Sequence, residues 1–249
     1  MNVLISNDDG IYASGIKALV EGLDPKIKKV VVAPADQKSA SSHSISLGQK
    51  LRVQEFIAGN VLHYAVHGTP VDCVKFAISE VKNFIPDLIL SGINQGANTG
   101  VSVYYSGTIS AAREGVINRV PAVALSLCSR DSTDFRASVV IANKIVEAYA
   151  QGIFPKHVLL NVNIPPGFPD DIKGIRITKQ ADSRFIEEFV TEKIKKDERI
   201  YTLAGEIELM DPDGTSDEEA VSEGYISITP LKLDLTDYSV IKYLEETLL

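Results

Sequence analysis

The sequence predicts an α/β protein: a mostly parallel sheet covered by helices on both faces, followed by a section of different character. Two observations carry this. From Asn2 to Val162, short apolar runs alternate with amphipathic stretches of helical spacing, and strands in that order join a parallel sheet through crossover helices. Beyond Ile175 the alternation gives way to closely spaced strand-like segments and a charged run. A hydrophobic content of 45% over 249 residues is ample for a core.

Residues 2 to 6 read as a buried strand, after which Ile16, Leu19, Val20 and Leu23 fall on one helical face. Lys29 to Ala33 gives the second strand, ended by Pro34. Segments 50 to 57 and 61 to 66 form a hairpin across Ala58-Gly59-Asn60, a turn chemistry that tolerates positive φ. Val71, Val74, Ile78 and Val81 mark a helix, with Pro70 suited to its first position. Asp87 to Ser91 is a strand, followed by a loop rich in Gly, Asn and Ser through Ser106 and a helix faced by Ile109, Ala112, Val116 and Ile117. Ala122 to Leu127 is the next strand. A long helix from about Asp134 to Gln151 then stops at Gly152, whose missing Cβ suits a left-handed cap. Val158 to Val162 returns as a strand.

In the remainder, segments 175 to 179, 185 to 191 and 199 to 205 are strand-like, with Lys193 to Arg199 as a charged connection, which predicts a projecting hairpin. Ser216 and Glu219 make a capping box for a short helix, Tyr225 to Thr229 a strand, and 239 to 247 a last helix. The chain therefore divides into a core, 1–170, and an extension, 171–249, that is not an independent domain. Asp211-Pro212-Asp213-Gly214 lacks the EF-hand positions and reads as a solvated turn.

The net charge of −8 argues against a nucleic acid polymer as partner, because phosphate backbones are held by clustered Lys and Arg. No stretch approaches the roughly 18 to 20 apolar residues that span a bilayer, and no basic segment or apolar h-region precedes the first strand. Cys73 and Cys128 form no CxxC or zinc spacing and read as free thiols. The expected setting is the cytoplasm, with no membrane partner.

In an open α/β sheet, ligands bind beyond the carboxyl ends of the strands. Four polar loops follow strands: Asn7, Asp8 and Asp9; Ser39 to Ser46; Gly68-Thr69; and Asn94 to Ser106. If the strands are parallel neighbours, these loops meet. Adjacent carboxylates at the end of a buried strand repel each other and resist desolvation, which a hard divalent cation relieves; the alternative is that Asp8 or Asp9 caps the next helix, or that Asp9-Gly10 is a turn. Ser106-Gly107-Thr108, at the start of a helix, is either a phosphate seat or a simple N-cap. Walker and GxSxG patterns are absent, no GxGxxG follows the first strand, and Asn7-Asp8-Asp9-Gly10 lacks the DxD spacing of phosphoaspartyl enzymes. The histidines show no paired metal spacing; His63 and His157 read as structural or exposed, and His43 as a loop hydrogen-bonding group or a ligand contact.

Ser6-Asn7-Asp8-Asp9-Gly10-Ile11, Ala33-Pro34 with Ser39, Gly68-Thr69-Pro70 with Asp72-Cys73, Ser91-Gly92-Ile93-Asn94 with Gly96 and Asn98, and Tyr105-Ser106-Gly107-Thr108 together resemble the SurE family of survival-protein nucleotidases. The similarity continues through Pro121-Ala122, Asn161-Val162-Asn163-Ile164-Pro165 and Ser227-Ile228-Thr229-Pro230-Leu231, covering essentially the whole chain. It implies a three-layer αβα, Rossmann-like fold whose C-terminal hairpin and helix serve oligomerisation, in a homodimer or homotetramer. It further implies a 5′-nucleotidase that uses one divalent ion per subunit (Mg²⁺, Mn²⁺ or Ca²⁺) to hydrolyse nucleoside 5′-monophosphates, often 3′-monophosphates and in some members short polyphosphate. By motif, Asp8, Asp9, Ser39 and Asn94 would hold the ion, and Asn98, Ser106, Gly107 and Thr108 the phosphate. Asp8 or Asp9 is the candidate catalytic proton acceptor. Ala40 stands where the family commonly has Gly, and Lys232 occupies a variable position. The competing readings are a nonenzymatic metal-dependent nucleotide-binding module and a broad acid sugar-phosphate phosphatase.

Overall fold

The computed structural model of the chain describes residues 1–38, 40–155, 157–195, 197–210 and 212–248. In order these form β1 (Asn2–Ser6), α1 (Ser14–Gly22), β2 (Lys28–Pro34), β3 (Val53–Ala58), β4 (Val61–Val66), α2 (Pro70–Glu80), β5 (Leu88–Gln95), α3 (Gly107–Ile117), β6 (Ala122–Leu127), α4 (Arg136–Ala150) and β7 (Leu159–Ile164). The extension adds β8 (Ile175–Ile177), β9 (Ser183–Lys195), β10 (Glu198–Leu209), α5 (Asp217–Ser222), β11 (Ile226–Leu231) and α6 (Tyr238–Leu248). The main sheet runs β3-β4-β2-β1-β5-β6-β7-β11-β8, and β9 pairs with β10 in a separate ribbon. From β4 to β7 every neighbouring pair is parallel, whereas β3 and β11 run antiparallel to β4 and β7.

The period of two along β1 explains the three layers. Val3 and Ile5 pack with Ile16 and Leu19 of α1 and Ile141 and Ile145 of α4, while Leu4 packs on the opposite face with Val74 and Ala77 of α2 and Ile109 and Ala112 of α3. A fully buried leucine contributes about 1.5–3 kcal/mol, and Leu4 is 0% exposed. A strand buried on both faces reads as a continuous apolar run, as residues 2 to 6 do.

Local expectations hold at several points. Gly59 and Asn60 turn the β3–β4 hairpin with φ of 56° and 64°. Pro70 opens α2 behind a Thr69–Asp72 capping box, and Ser216 and Glu219 close another around α5. Gly152 has φ of 72°, just beyond the C-cap of α4.

Two boundaries differ. Pro34 lies inside β2, paired with Val66, because a strand's last position does not require the missing N–H; its carbonyl accepts the Ile11 amide at 2.8 Å. β5 continues past Ser91 to Gln95: its register with β6 shifts between Ser91 and Asn94, and pairing then resumes as Asn94↔Ser126 and Gln95↔Leu127. The polar composition of this stretch disguised a bulged strand as loop. The ribbon is longer than the pattern indicated, 13 and 12 residues. In the acidic turn Asp211 lies outside the described residues, and Asp213 accepts from Thr215 and pairs with Lys179 at the surface. Among the described residues no helix is long and apolar enough to cross a membrane.

Winding changes direction at β1, which has β2 on one side and β5 on the other. The crevice beyond the carboxyl ends of β1 and β5 is thus the topological switch point of the sheet.

Candidate active site

A cleft of about 560 Å³ opens at that point, lined by Asp8, Asp9, Asn94, Asn98 and Ser106 among others. Residues separated by almost 100 positions meet there because β1 and β5 are hydrogen-bonded neighbours and α3 begins beside them. Asn7 shapes the first loop by donating its side-chain amide to the Gly10 carbonyl at 2.8 Å, and the Asp8 carbonyl accepts the Lys38 amide at 2.7 Å.

Asp8 is buried, and the Thr108 hydroxyl donates to its carboxylate. Burial pushes its carboxyl above the ordinary 3.8, opposed by hydrogen bonds from Thr108 and from the amides of Asp8, Thr108 and Gly107. Asp9 is pushed to about 6, by burial first and then by the charge of Asp8, with the Gln95 amide acting the other way. Burial and like charge are the conditions a bound cation relieves. Gly107 makes the close approach possible. A Cβ built there would stand 2.7 Å from Cβ of Asp8 and 2.8 Å from Ser41 Oγ, so the start of α3, with its amides and positive dipole end, can reach the carboxylate only as glycine.

The donor set suits a hard ion. Asn94 gives its side-chain nitrogen to the Gly96 carbonyl at 2.8 Å, which leaves its oxygen as the remaining acceptor beside two carboxylates. Buried close by, the Asn7 side-chain oxygen has no hydrogen-bond partner. All of these donors are oxygen, the preference of Mg²⁺, Mn²⁺ and Ca²⁺. Among the described residues no group of three His, Cys, Asp or Glu side chains is placed to hold a metal. The acidic part of the set is therefore the Asp8–Asp9 pair, supplemented by neutral oxygens. Ser39, the remaining expected ligand, lies outside the described residues.

Of the expected phosphate contacts, Ser106 caps α3 by accepting the Ile109 amide at 3.1 Å, which leaves its hydroxyl proton for the cleft. Thr108 is committed to Asp8 through both its hydroxyl and its amide. Asn98 is held rigidly: its amide donates to Asn163 Oδ1 at 2.8 Å, its side chain donates to Ser126 Oγ at 2.8 Å, and its carbonyl accepts from Asn161 at 2.7 Å. Asn161 and Asn163 form a supporting layer that motif reasoning left without a role. Their signal was present as two polar residues at period two within an apolar strand, both buried.

The loop after Asn98 is clamped by the extension. Asp217, 0% exposed, accepts the amides of Gly100 at 3.2 Å, Ala181 at 2.9 Å and Glu218 at 2.9 Å. Ser183, at the root of the ribbon, accepts the Val101 amide at 2.9 Å, and Gln180 donates to the Gly100 carbonyl at 2.9 Å. Gly100 has φ of 48°, and a Cβ there would fall 2.1 Å from Ser183 Oγ.

Behind the start of α3, His43 Nε2 meets the buried Glu114 carboxylate at 3.0 Å, and Lys75 reaches the same group at 2.8 Å. His43 thus pins the serine-rich loop to α3. His63 is buried with Nδ1 on the Val61 carbonyl at 2.9 Å, and His157 is exposed. Gln95 and Arg130 also line the cleft and were not singled out from the sequence; Arg130 sits in a loop directly after β6, where the rule about strand ends would have found it.

Comparison with known proteins bears on the same residues. Residues 3–187 match the family model described as Survival protein SurE. A protein of Pelotomaculum thermopropionicum named 5′-nucleotidase SurE is 43% identical over 251 residues, covering 100% of this chain and 95% of its own length. One of the same name from Chlorobium chlorochromatii is 39% identical and covers 98% and 90%. The crystal structure of the SurE protein from Aquifex aeolicus superposes with a TM-score of 0.86 at 35% identity over 99% of both chains. With the paired carboxylates, the bulged β5 and the capped α3 set in one sheet of this order, the chain belongs to the SurE family.

Proposed function

We propose that this protein is a divalent-metal-dependent phosphomonoesterase that hydrolyses nucleoside 5′-monophosphates, and 3′-monophosphates as well, to nucleoside and phosphate. The observation that carries the reading is the convergence of Asp8, Asp9 and Asn94 with the N-terminus of α3 in one cleft. The names of the relatives point the same way.

Asp8, Asp9, Asn94 and Ser39 would hold the ion, which when bound supplies Lewis-acid polarisation of the phosphoryl group and acidifies water. The chain's own groups do the rest. The Asn98 side-chain amide and the Ser106 hydroxyl seat the phosphate oxygens, and the dipole of α3 favours the charge that builds on them. Because Asp8 is tied to Thr108 and to backbone amides, Asp9 is the freer carboxylate and accepts the proton of the attacking water. The water oxygen bonds to phosphorus as the ester bond breaks, and the departing oxygen takes a proton from solvent water to leave as the nucleoside hydroxyl.

The extension fits assembly into a homodimer or homotetramer. Phe189, Ile194 and Leu203 on the ribbon are 64%, 70% and 57% exposed, and α6 buries none of its described residues while presenting Tyr238, Tyr243 and Leu248. Apolar surface of this kind asks for a partner. The free thiols Cys73 and Cys128 fit a reducing cytoplasm.

Phosphate release from a panel of 5′- and 3′-mononucleotides, sugar phosphates and short polyphosphate, with Mn²⁺ or with EDTA, tests the reading. Release from mononucleotides that stops with EDTA and returns with Mn²⁺ is expected, and Asp8→Asn abolishes it. Nucleotide binding without release indicates a binding module; a preference for sugar phosphates indicates the broader phosphatase.

A further inference from the structure

Among the described residues that line the cleft, Arg130 is the one cationic side chain. It is placed there by a short chain of hydrogen bonds. The Leu127 carbonyl accepts the Gly96 amide at 2.8 Å and the Ser129 amide at 2.7 Å, which fastens the start of the loop after β6 to the end of β5. Gln95 then donates its side-chain amide to the Ser132 carbonyl at 2.9 Å, and the Ser132 amide donates to Ser129 Oγ at 3.1 Å. Arg130 lies between these two attachments. A Cβ built on Gly96 would be 3.8 Å from Arg130 Cγ and 3.9 Å from its Nε, so the side chain passes over Gly96, two positions from Asn94.

The guanidinium has no hydrogen bond or ion pair with any described residue, although two carboxylates share its cleft. Asp134, in the same loop, is engaged by Arg136 at 2.6 Å. A guanidinium stays charged throughout the physiological range and offers a planar fork of donors that matches phosphate oxygens. The Ser106 hydroxyl enters the cleft from the start of α3, and Arg130 enters from the loop after β6. An anion between them would receive donors from two separate elements.

We propose that Arg130 is a substrate-binding residue of this cleft that takes non-bridging oxygens of a dianionic phosphate monoester. This rests on the phosphomonoesterase reading and adds to it the group that recognises the phosphate's charge apart from the ion.

Calorimetric titration of the Mn²⁺-loaded protein with inorganic phosphate and, separately, with adenosine tests the assignment. Arg130→Gln is expected to weaken phosphate binding by about tenfold or more, with adenosine binding unchanged and Arg130→Lys recovering part of the loss. KM for adenosine 5′-monophosphate should rise by a similar factor. Arg130 is exposed, so the melting temperature should not move. Unchanged phosphate affinity in Arg130→Gln overturns the proposal, as does a loss confined to adenosine, which would mean that the guanidinium stacks on the base. If wild-type protein with metal releases no phosphate from any monoester, the underlying reading fails instead; wild-type turnover with an indifferent Arg130→Gln sinks this inference alone.

Discussion

The Thr108 hydroxyl donates to the Asp8 carboxylate across a sequence separation of 100 residues, joining the first turn of α3 to the loop after β1. Gly107 is the condition of that contact. A Gly107→Ala protein must separate the two elements, since its Cβ would meet Asp8 Cβ at 2.7 Å. Overpacking of this kind costs about 1–3 kcal/mol. The expected result is a folded protein with a lowered melting temperature and an Mn²⁺ requirement shifted upward by about tenfold, checked by thermal unfolding and by activity against metal concentration.

Glu114 gives a pH-dependent test. Burial opposes its ionisation, yet hydrogen bonds from His43, Lys75 and Asn118 hold its carboxyl below the ordinary 4.5. A depressed carboxylate contributes stability above its unfolded value and loses it as pH falls through the folded one. Glu114→Gln should therefore be less stable than wild type by about 2 kcal/mol at pH 7, and the gap should narrow as pH falls below the ordinary 4.5 and close once the folded carboxyl is protonated. Denaturant unfolding at pH 7 and across the acid range measures it.

Ala40 has φ of 53°, in the left-handed region that favours glycine. Relief of that strain predicts that Ala40→Gly raises stability by about 0.5–1 kcal/mol despite the freer unfolded chain. The melting temperature should rise with turnover preserved.

The clamp on Gly100 and Val101 predicts a graded series. Asp217→Ala leaves the amides of Gly100, Ala181 and Glu218 without their acceptor, which costs about 3 kcal/mol or more. Ser183→Ala frees only the Val101 amide and costs about 1 kcal/mol. Because the clamped loop carries Asn98, Ser183→Ala should raise KM more than it lowers kcat, and Ser183→Thr should restore both in steady-state assays.

Much of this architecture was legible in the residues themselves. Apolar runs such as Val3-Leu4-Ile5 against the helical spacing of Ile16, Leu19 and Leu23 announce a doubly covered parallel sheet, and Asp8-Asp9 at a strand end marks the crevice. Less legible was anything that depends on pairing between distant segments. Asn94 and Gln95 read as loop because polar residues conceal a strand whose partners, Ser126 and Leu127, lie 32 positions away. The Asn161 and Asn163 support for Asn98, and the reach of Asp217 back to Gly100, follow from sheet order and not from local pattern.

The ribbon of β9 and β10 is attached at its base, where Ser183 pairs with Leu209 and also receives the Val101 amide, whereas the tip near Lys195 and Glu198 stands clear in solvent. Shortening or lengthening this arm at its far end leaves the base contacts intact. A load taken up at the far end, by a partner copy or a crosslink, thus reaches the cleft only through the base, whereas a splice inside the first pair would pull directly on the wall that bears Asn98.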